Sequence, residues 1–240
     1  LPQARGVAGT LFVHKIAGAL ADKGADLDAV TEAAKKTIHD VVSIGMSLDA
    51  CTVPGNAKEN RIPAGKAELG LGIHGEPGVE QVNFSGAADA IAMVVDRLAT
   101  NISPGPHVAL VNNLGSATPL EMSVLVEELL KSQIGDQIRW VVGPAPLMTS
   151  LDMRGFSVSL LPVGAAAEAA LVASVGCQAW PGCHAVGNID IQPLPDGLAP
   201  IAPLPSKHDG HRAFIEKCCR IFIDAEQDLN ALDLKSGDGD

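Results

Sequence analysis

Three short, mainly apolar runs, at His107–Val111, Ile138–Val142 and Phe156–Leu161, recur between stretches of helical spacing, and this alternation constrains the fold more than any other feature. A strand that is mainly apolar along its length leaves little of either face to water, so both sides of its sheet need cover, and the intervening helices supply it. The spacing predicts helices over Val7–Leu20, from Asp26 to about Ser43, over Phe84–Asn101 behind Ser85 as N-cap, from Thr118-Pro119 onward, and over Ala165–Val175. Lys66–Ile73 alternates and adds another strand. The expected class is α/β, a sheet covered by helices.

The 240 residues are enough for one substantial core or two small ones. From Asn188 to Ser206 the chain carries Pro193, Pro195, Pro200, Pro203 and Pro205, a composition that forms a semi-rigid linker without a core of its own. Beyond it, Phe214, Cys218, Ile221, Phe222 and Ala225 fall at helical spacing within His208–Leu232, which then runs into an acidic glycine loop. The expected organisation is a domain over 1–187, a linker over 188–207 and a helical segment over 208–240.

A net charge of −11 opposes binding to a phosphate backbone, and the lack of Tyr, with aromatics at 3%, leaves few platforms for stacking bases. No nucleic-acid partner is expected. Neither a signal peptide nor an apolar run of membrane-spanning length occurs in the sequence, so no membrane partner is expected either. Cys51, Cys177, Cys183, Cys218 and Cys219 form no C-x-x-C pair, and Cys177 with Cys183-His184 fits no standard zinc spacing. They read as buried, reduced thiols of a cytoplasmic protein.

Chemistry concentrates in Glu68-Leu-Gly-Leu-Gly-Ile-His-Gly-Glu-Pro-Gly78. The string Gly70-x-Gly72-x-x-Gly75 matches the dinucleotide fingerprint, but Pro77-Gly78 break the chain where that fingerprint needs a helix, so the dinucleotide reading fails. What remains is one histidine, His74, among the glycines Gly72 and Gly75, which leave backbone N–H groups and the ring open to a small ligand. A histidine capping a strand end is the plain alternative. A neutral imidazole can attack a ketone carbon, giving a hemiaminal whose oxygen needs hydrogen-bond donors. Glu76 either orients that ring or is a solvated turn acid. At the other end, Asp233, Asp238 and Asp240 are either a solvated helix end or three carboxylates that Gly237 and Gly239 allow to converge on a hard cation such as Mg²⁺. His14-Lys15 packs or faces solvent within its helix, and Asn112-Asn113 with Gly115 read as turn residues. Asp152 is either catalytic at a strand end or the support of the turn before Met153-Arg154-Gly155, the turn role being the default, and no P-loop occurs.

The string GLGIHGEPG closely resembles the K domain of dihydroxyacetone kinases. RGVAGTLFVHKIAGA (Arg5–Ala19), CTVP (Cys51–Pro54), ALVNNLGSATPLE (Ala109–Glu121) and TSLDMRGFSVSLL (Thr149–Leu161) agree with it in order. The match looks like the second half of that domain, followed at LNALDLKSGDGD (Leu229–Asp240) by the opening of the L domain. The resemblance implies a fragment of a single-chain, ATP-dependent glycerone kinase in glycerol catabolism, a cytoplasmic homodimer in the parent protein and inactive as a fragment. It implies that His74 holds dihydroxyacetone covalently as a hemiaminal, with Gly72 and Gly75 in the substrate loop. It also places Asp233, Asp238 and Asp240 on Mg²⁺ beside ATP. A triokinase that also cyclises FAD to a cyclic FMN, and a non-catalytic ketone-binding or regulatory K-type module, remain the alternatives.

Overall fold

The computed structural model describes residues 7–72, 78–187, 193, 195, 204, 205 and 207–236. By contacts along the chain it divides into two compact units, Leu1–Asn188 and Ile189–Asp240.

The first unit is built on a seven-stranded sheet. Its strands are β1 (Val42–Ser47), β2 (Lys66–Leu69), β3 (Glu80–Asn83), β4 (His107–Asn113), β5 (Ile138–Ala145), β6 (Gly155–Pro162) and β7 (Cys183–Ala185). Their spatial order is β3-β2-β1-β6-β4-β5-β7. Only the β4–β5 pair is parallel, so the sheet is mixed. All seven residues of β4 are buried, in line with its mainly apolar run.

Alternation along the central strands feeds two separate cores. Ala109 and Val111 of β4 and Phe156, Val158 and Leu160 of β6 pack under α3 (Ala87–Ala99) and α4 (Pro119–Lys131). Val108 and Leu110 of β4 and Leu161 of β6 face the opposite way, toward Phe12 and Ile16 of α1 (Thr10–Asp22) and Leu171 of α5 (Ala165–Val172). The helix α2 (Leu27–Asp40) lies against α1. Fully burying one such aliphatic or aromatic side chain is worth about 1.5–3 kcal/mol. The expected sheet covered by helices on both faces is what forms.

Helix starts follow local chemistry. The Asp26 carboxylate accepts from the Ala29 N–H at 2.8 Å and caps α2. Thr118 and Glu121 form a capping box in front of α4, with Pro119 in its first turn. The helix α3 differs from expectation, because its N-cap is Gly86 and not Ser85, whose N–H and hydroxyl instead bond the Asp89 carboxylate at 3.1 and 3.2 Å.

Three strands escaped the sequence reading. The second helix stops at Asp40, and the residues expected to end it become β1, which pairs with β6 over six positions from Val42↔Leu160 to Ser47↔Gly155. That long-range ladder overrides the local helical spacing. β2 ends at Leu69 instead of reaching Ile73, because Gly70 enters the left-handed region (φ +76) and donates its N–H to Gly45 O at 2.8 Å. β3 and β7 are short edge strands with polar, exposed positions.

The second unit holds α6 (Asp209–Asp224) and α7 (Glu226–Ser236). The single helix expected over His208–Leu232 is therefore two, divided at Ala225. His208 caps α6 through its ring Nδ1, which accepts from the His211 N–H at 3.3 Å.

Candidate active site

Four of the motifs quoted above meet in one place. Cys51 of CTVP, Leu71 of the glycine loop, Leu114 after β4 and Met153 before β6 lie far apart in sequence, yet they pack into one small apolar cluster. Leu71, Leu114 and Met153 are each no more than 1% exposed. The cluster sits where β1 and β4 end and β6 begins, directly beneath the entry to the histidine loop.

Polar bonds fix each contributor. The Asp152 carboxylate accepts from the Thr52 hydroxyl at 2.7 Å and from the Thr52 N–H, tying CTVP to the turn before β6. These two bonds, the N–H first, hold the Asp152 carboxyl below its usual range. Asp152 was expected to support its own turn. It holds a segment one hundred residues away instead. Asn112 accepts from the Leu147 and Met148 N–H groups at 3.0 and 2.8 Å and donates to Met148 O and Ser157 Oγ. Asn113 accepts from the Gly115 N–H at 2.9 Å and donates to Ala117 O at 2.6 Å. These asparagines form turns, as the sequence suggested. Gly115 has φ +152, and a Cβ there would lie 2.0 Å from Leu151 O, so only glycine fits.

The stems of the histidine loop are closed at their base. Val79 N–H donates to Leu69 O at 2.9 Å, and the Gly78 N–H donates to the Glu68 carboxylate at 3.1 Å. Glu68 is 3% exposed and also pairs with Arg61 Nη2 at 3.1 Å. The sequence reading gave Glu68 and Arg61 no role. In the sequence Glu68 falls with Lys66 on the polar phase of the alternation, so nothing there signals its burial, which is costly unless the carboxylate is paired.

Gly72 is buried at the end of the entering stem. His74, Gly75 and Glu76 lie outside the described residues. Asp233 is partly buried on α7, while Asp238 and Asp240 lie outside the described residues. Among the described residues, no three His, Cys, Asp or Glu side chains are placed to hold a metal ion. The donor chemistry of three carboxylates nevertheless suits Mg²⁺.

The remaining candidates are structural. Lys15 is buried, and its Nζ donates to Ala170 O at 2.8 Å and Ala173 O at 2.6 Å, capping the C-terminal end of α5, with the Trp180 ring 5.8 Å away. Desolvation lowers its pKa. Burial pushes the Cys183 thiol up to about 11, which keeps it protonated and a poor metal ligand. The thiols are free, but Cys177 and Cys219 are exposed where buried ones were expected. A groove of about 740 Å³ opens on the α3–α4 side, lined by Leu48, Ile62, Phe84, Leu120, Arg154 and Phe156 among others. Among the described residues no helix is long and apolar enough to cross a membrane.

The Dak1 domain family matches residues 2–179. A dihydroxyacetone kinase of Citrobacter freundii is 34% identical over 250 residues, covering 98% of this chain and 43% of that protein. A human triokinase/FMN cyclase is 32% identical, covering 98% of this chain and 44% of its own length. The crystal structure of the C. freundii kinase in complex with AMP-PNP and Mg²⁺ superposes with a TM-score of 0.77 at 35% identity, over 98% of this chain and 44% of that one. The chain thus spans less than half the length of the relatives it matches.

Proposed function

From the premise that this chain belongs to the Dak1 domain family, the K domain of dihydroxyacetone kinases, we propose that it carries the ketone-binding half of an ATP-dependent dihydroxyacetone kinase. The observation that carries the reading is the convergence of four separate motifs in one cluster, to which Leu71 brings the segment that in sequence leads to His74. A packed, hydrogen-bonded anchor for that segment suits a group that must present a nucleophile at fixed geometry.

The chemistry balances simply. The unprotonated nitrogen of His74 attacks the carbonyl carbon of dihydroxyacetone, a C–N bond forms as the C=O π bond breaks, and the proton of the other ring nitrogen is released as the oxygen takes one up. Backbone N–H groups at Gly72 and Gly75 suit the developing oxyanion. The product hemiaminal fixes a terminal hydroxyl for phosphoryl transfer and rejects glycerol, which has no carbonyl to capture. Asp233, Asp238 and Asp240 would hold Mg²⁺, which when bound with ATP neutralises charge on the phosphates. The likeness over 98% of this chain to the C. freundii kinase in complex with AMP-PNP and Mg²⁺ supports ATP as the donor.

The same reading divides the chain into the K-type segment at 1–187, the linker at 188–207 and the start of an L-type segment at 208–240. It also makes the parent a cytoplasmic homodimer. A second reading, a triokinase that also acts on FAD, is favoured by the human relative, whose identity is nearly that of the bacterial kinase.

The test is His74→Ala in the full-length protein. Orientation contributes roughly 7–11 kcal/mol to a barrier in favourable cases, so kcat/KM for dihydroxyacetone with ATP should fall steeply and glycerol should compete better. An unaltered preference for ketone over alcohol in the variant overturns the role of His74. Turnover with a phosphoprotein donor but not with ATP overturns the donor.

A further inference from the structure

Glu68 lies directly opposite Ser47 in the β1–β2 ladder, on a strand whose neighbours Ala67 and Leu69 enter the α3–α4 core. Its side chain therefore points to the other face of the sheet. There it is 3% exposed. A buried carboxylate is costly unless it is paired. Its Oε2 takes both contacts: Arg61 Nη2, on a side chain itself mostly covered, at 3.1 Å, and the backbone N–H of Gly78, the first described residue after the loop, also at 3.1 Å.

The return of the chain is tight. A Cβ at Gly78 would lie 2.7 Å from Glu68 Cβ and 2.9 Å from Leu69 O, so the departing stem lies flush against the strand that delivers the entering stem. Gly70 N–H is bonded to Gly45 O on β1, and Val79 N–H to Leu69 O. Two hydrogen bonds thus join the stems, Val79 N–H to Leu69 O and Gly78 N–H to the Glu68 carboxylate, while Gly70 N–H ties the entering stem to β1. Glu68 is the only side chain among these contacts that touches both the strand side and the loop's exit. Arg61 reaches it from the long segment between β1 and β2, so that segment is tied to the same point.

We propose that Glu68, held by Arg61, is a positioning residue for the reaction: its carboxylate fixes the register of the stems that carry His74, and so the approach of the imidazole to the ketone. This rests on the proposed role of His74. Neither residue touches substrate in this account. An ion pair largely covered from water is screened by salt less than an exposed one, which suits a fixed strut. The exposed pair Glu80–Arg97, one strand along, supplies the contrast, since both its side chains are about half exposed.

The experiment compares the full-length protein with Glu68→Gln, Glu68→Ala, Arg61→Gln and, as control, Glu80→Gln. It reads thermal stability, hydrogen exchange over residues 66–79, and kcat and KM for dihydroxyacetone with ATP well below the melting temperature. Glu68→Ala should lower kcat about tenfold or more, because loss of orientation acts on the chemical step. Glu68→Gln keeps an acceptor for the Gly78 N–H and should fall between Ala and wild type. Arg61→Gln should follow Glu68→Gln, and Glu80→Gln should match wild type. Faster exchange at the stems should accompany each fall in kcat. If the Glu68 variants are folded, with kcat within twofold of wild type, the proposal is overturned even where stability drops. If Glu68→Ala does not fold, Glu68→Gln and Arg61→Gln decide by the same criterion. A wild-type protein that is active while His74→Ala keeps full activity sinks the functional reading instead, and a wild-type protein that turns over no dihydroxyacetone sinks both.

Discussion

The middle of the sheet and its motif-bearing end are held by different physics. In the middle, β4 and β6 are buried on both faces by two apolar cores, and what fixes them is area removed from water. At the end near Leu71, Leu114 and Met153, the apolar cluster is small, and named hydrogen bonds decide the geometry, among them Thr52 to Asp152, Asn113 to Gly115 and Ala117, and Gly78 to Glu68. Burial is non-directional and tolerates volume-conserving exchange. Hydrogen bonds are directional, contribute only about 0.5–1.5 kcal/mol net each, and cost more when one partner is left alone. The first region makes the domain stable. The second spends little stability and fixes where atoms sit.

The largest expected effect is in the middle. Phe156 is 1% exposed, and Phe156→Ala should cost about 3–5 kcal/mol in urea unfolding, while Phe156→Leu should cost clearly less. Equal losses for the two would show that the middle also depends on specific shape, and would break the contrast.

A smaller effect should follow at the motif end, and it should depend on geometry more than on volume. Gly115→Ala adds one methyl group, but at φ +152 and 2.0 Å from Leu151 O. Backbone strain of this kind costs about 1–3 kcal/mol. The same exchange at Gly18, inside α1 with nothing within 4 Å of the added atom, should instead stabilise by about 0.5–1 kcal/mol. Urea midpoints for the two variants should move in opposite directions, and movement in the same direction would break this part of the contrast.

The same division explains what the sequence revealed. Apolar periodicity and caps are local signals, and α1, α4, α5, β4, β5 and β6 were legible from them, as was cover on both faces of the sheet. β1 was read as helix because Val41 to Ser43 continue the helical spacing of α2, while its true partner, β6, lies more than a hundred residues away. β3 offers only Glu80-Gln-Val-Asn83, too polar for an apolar-run search. At the motif end the strings themselves were visible, but their meeting was not, since Thr52 and Asp152 are linked only through the fold. Glu68 falls with Lys66 on the polar phase of the Lys66–Ile73 alternation, so its burial was not legible, and nothing in the sequence named Arg61 and Gly78 as its partners. Gly72 is buried at the end of the entering stem and Asp233 lies on α7, and His74, Gly75, Asp238 and Asp240 lie outside the described residues.

The smallest effect concerns acid, and it separates the two regions without a change of volume. Asp152 is held below its usual range by the Thr52 N–H and hydroxyl, and Glu121 by the Thr118 N–H and then by Arg154. A carboxyl whose folded pKa is depressed binds fewer protons in the native state than in the unfolded one. Its contribution is therefore complete above the unfolded value, about 3.9 for Asp and 4.3 for Glu, and is lost as pH falls through the lower folded value. Both groups are open to solvent, so screening keeps the effect modest. The difference in urea midpoint between wild type and Asp152→Asn should thus be present at pH 7, shrink below about pH 4 and vanish in stronger acid. Glu121→Gln should behave alike. The difference between wild type and Phe156→Ala should stay constant over the same range, because no proton enters or leaves a buried phenyl ring. A pH-independent gap for Asp152→Asn would mean that its bonds to Thr52 do not distinguish the ionised from the protonated carboxyl, and the motif end would then be held by packing after all.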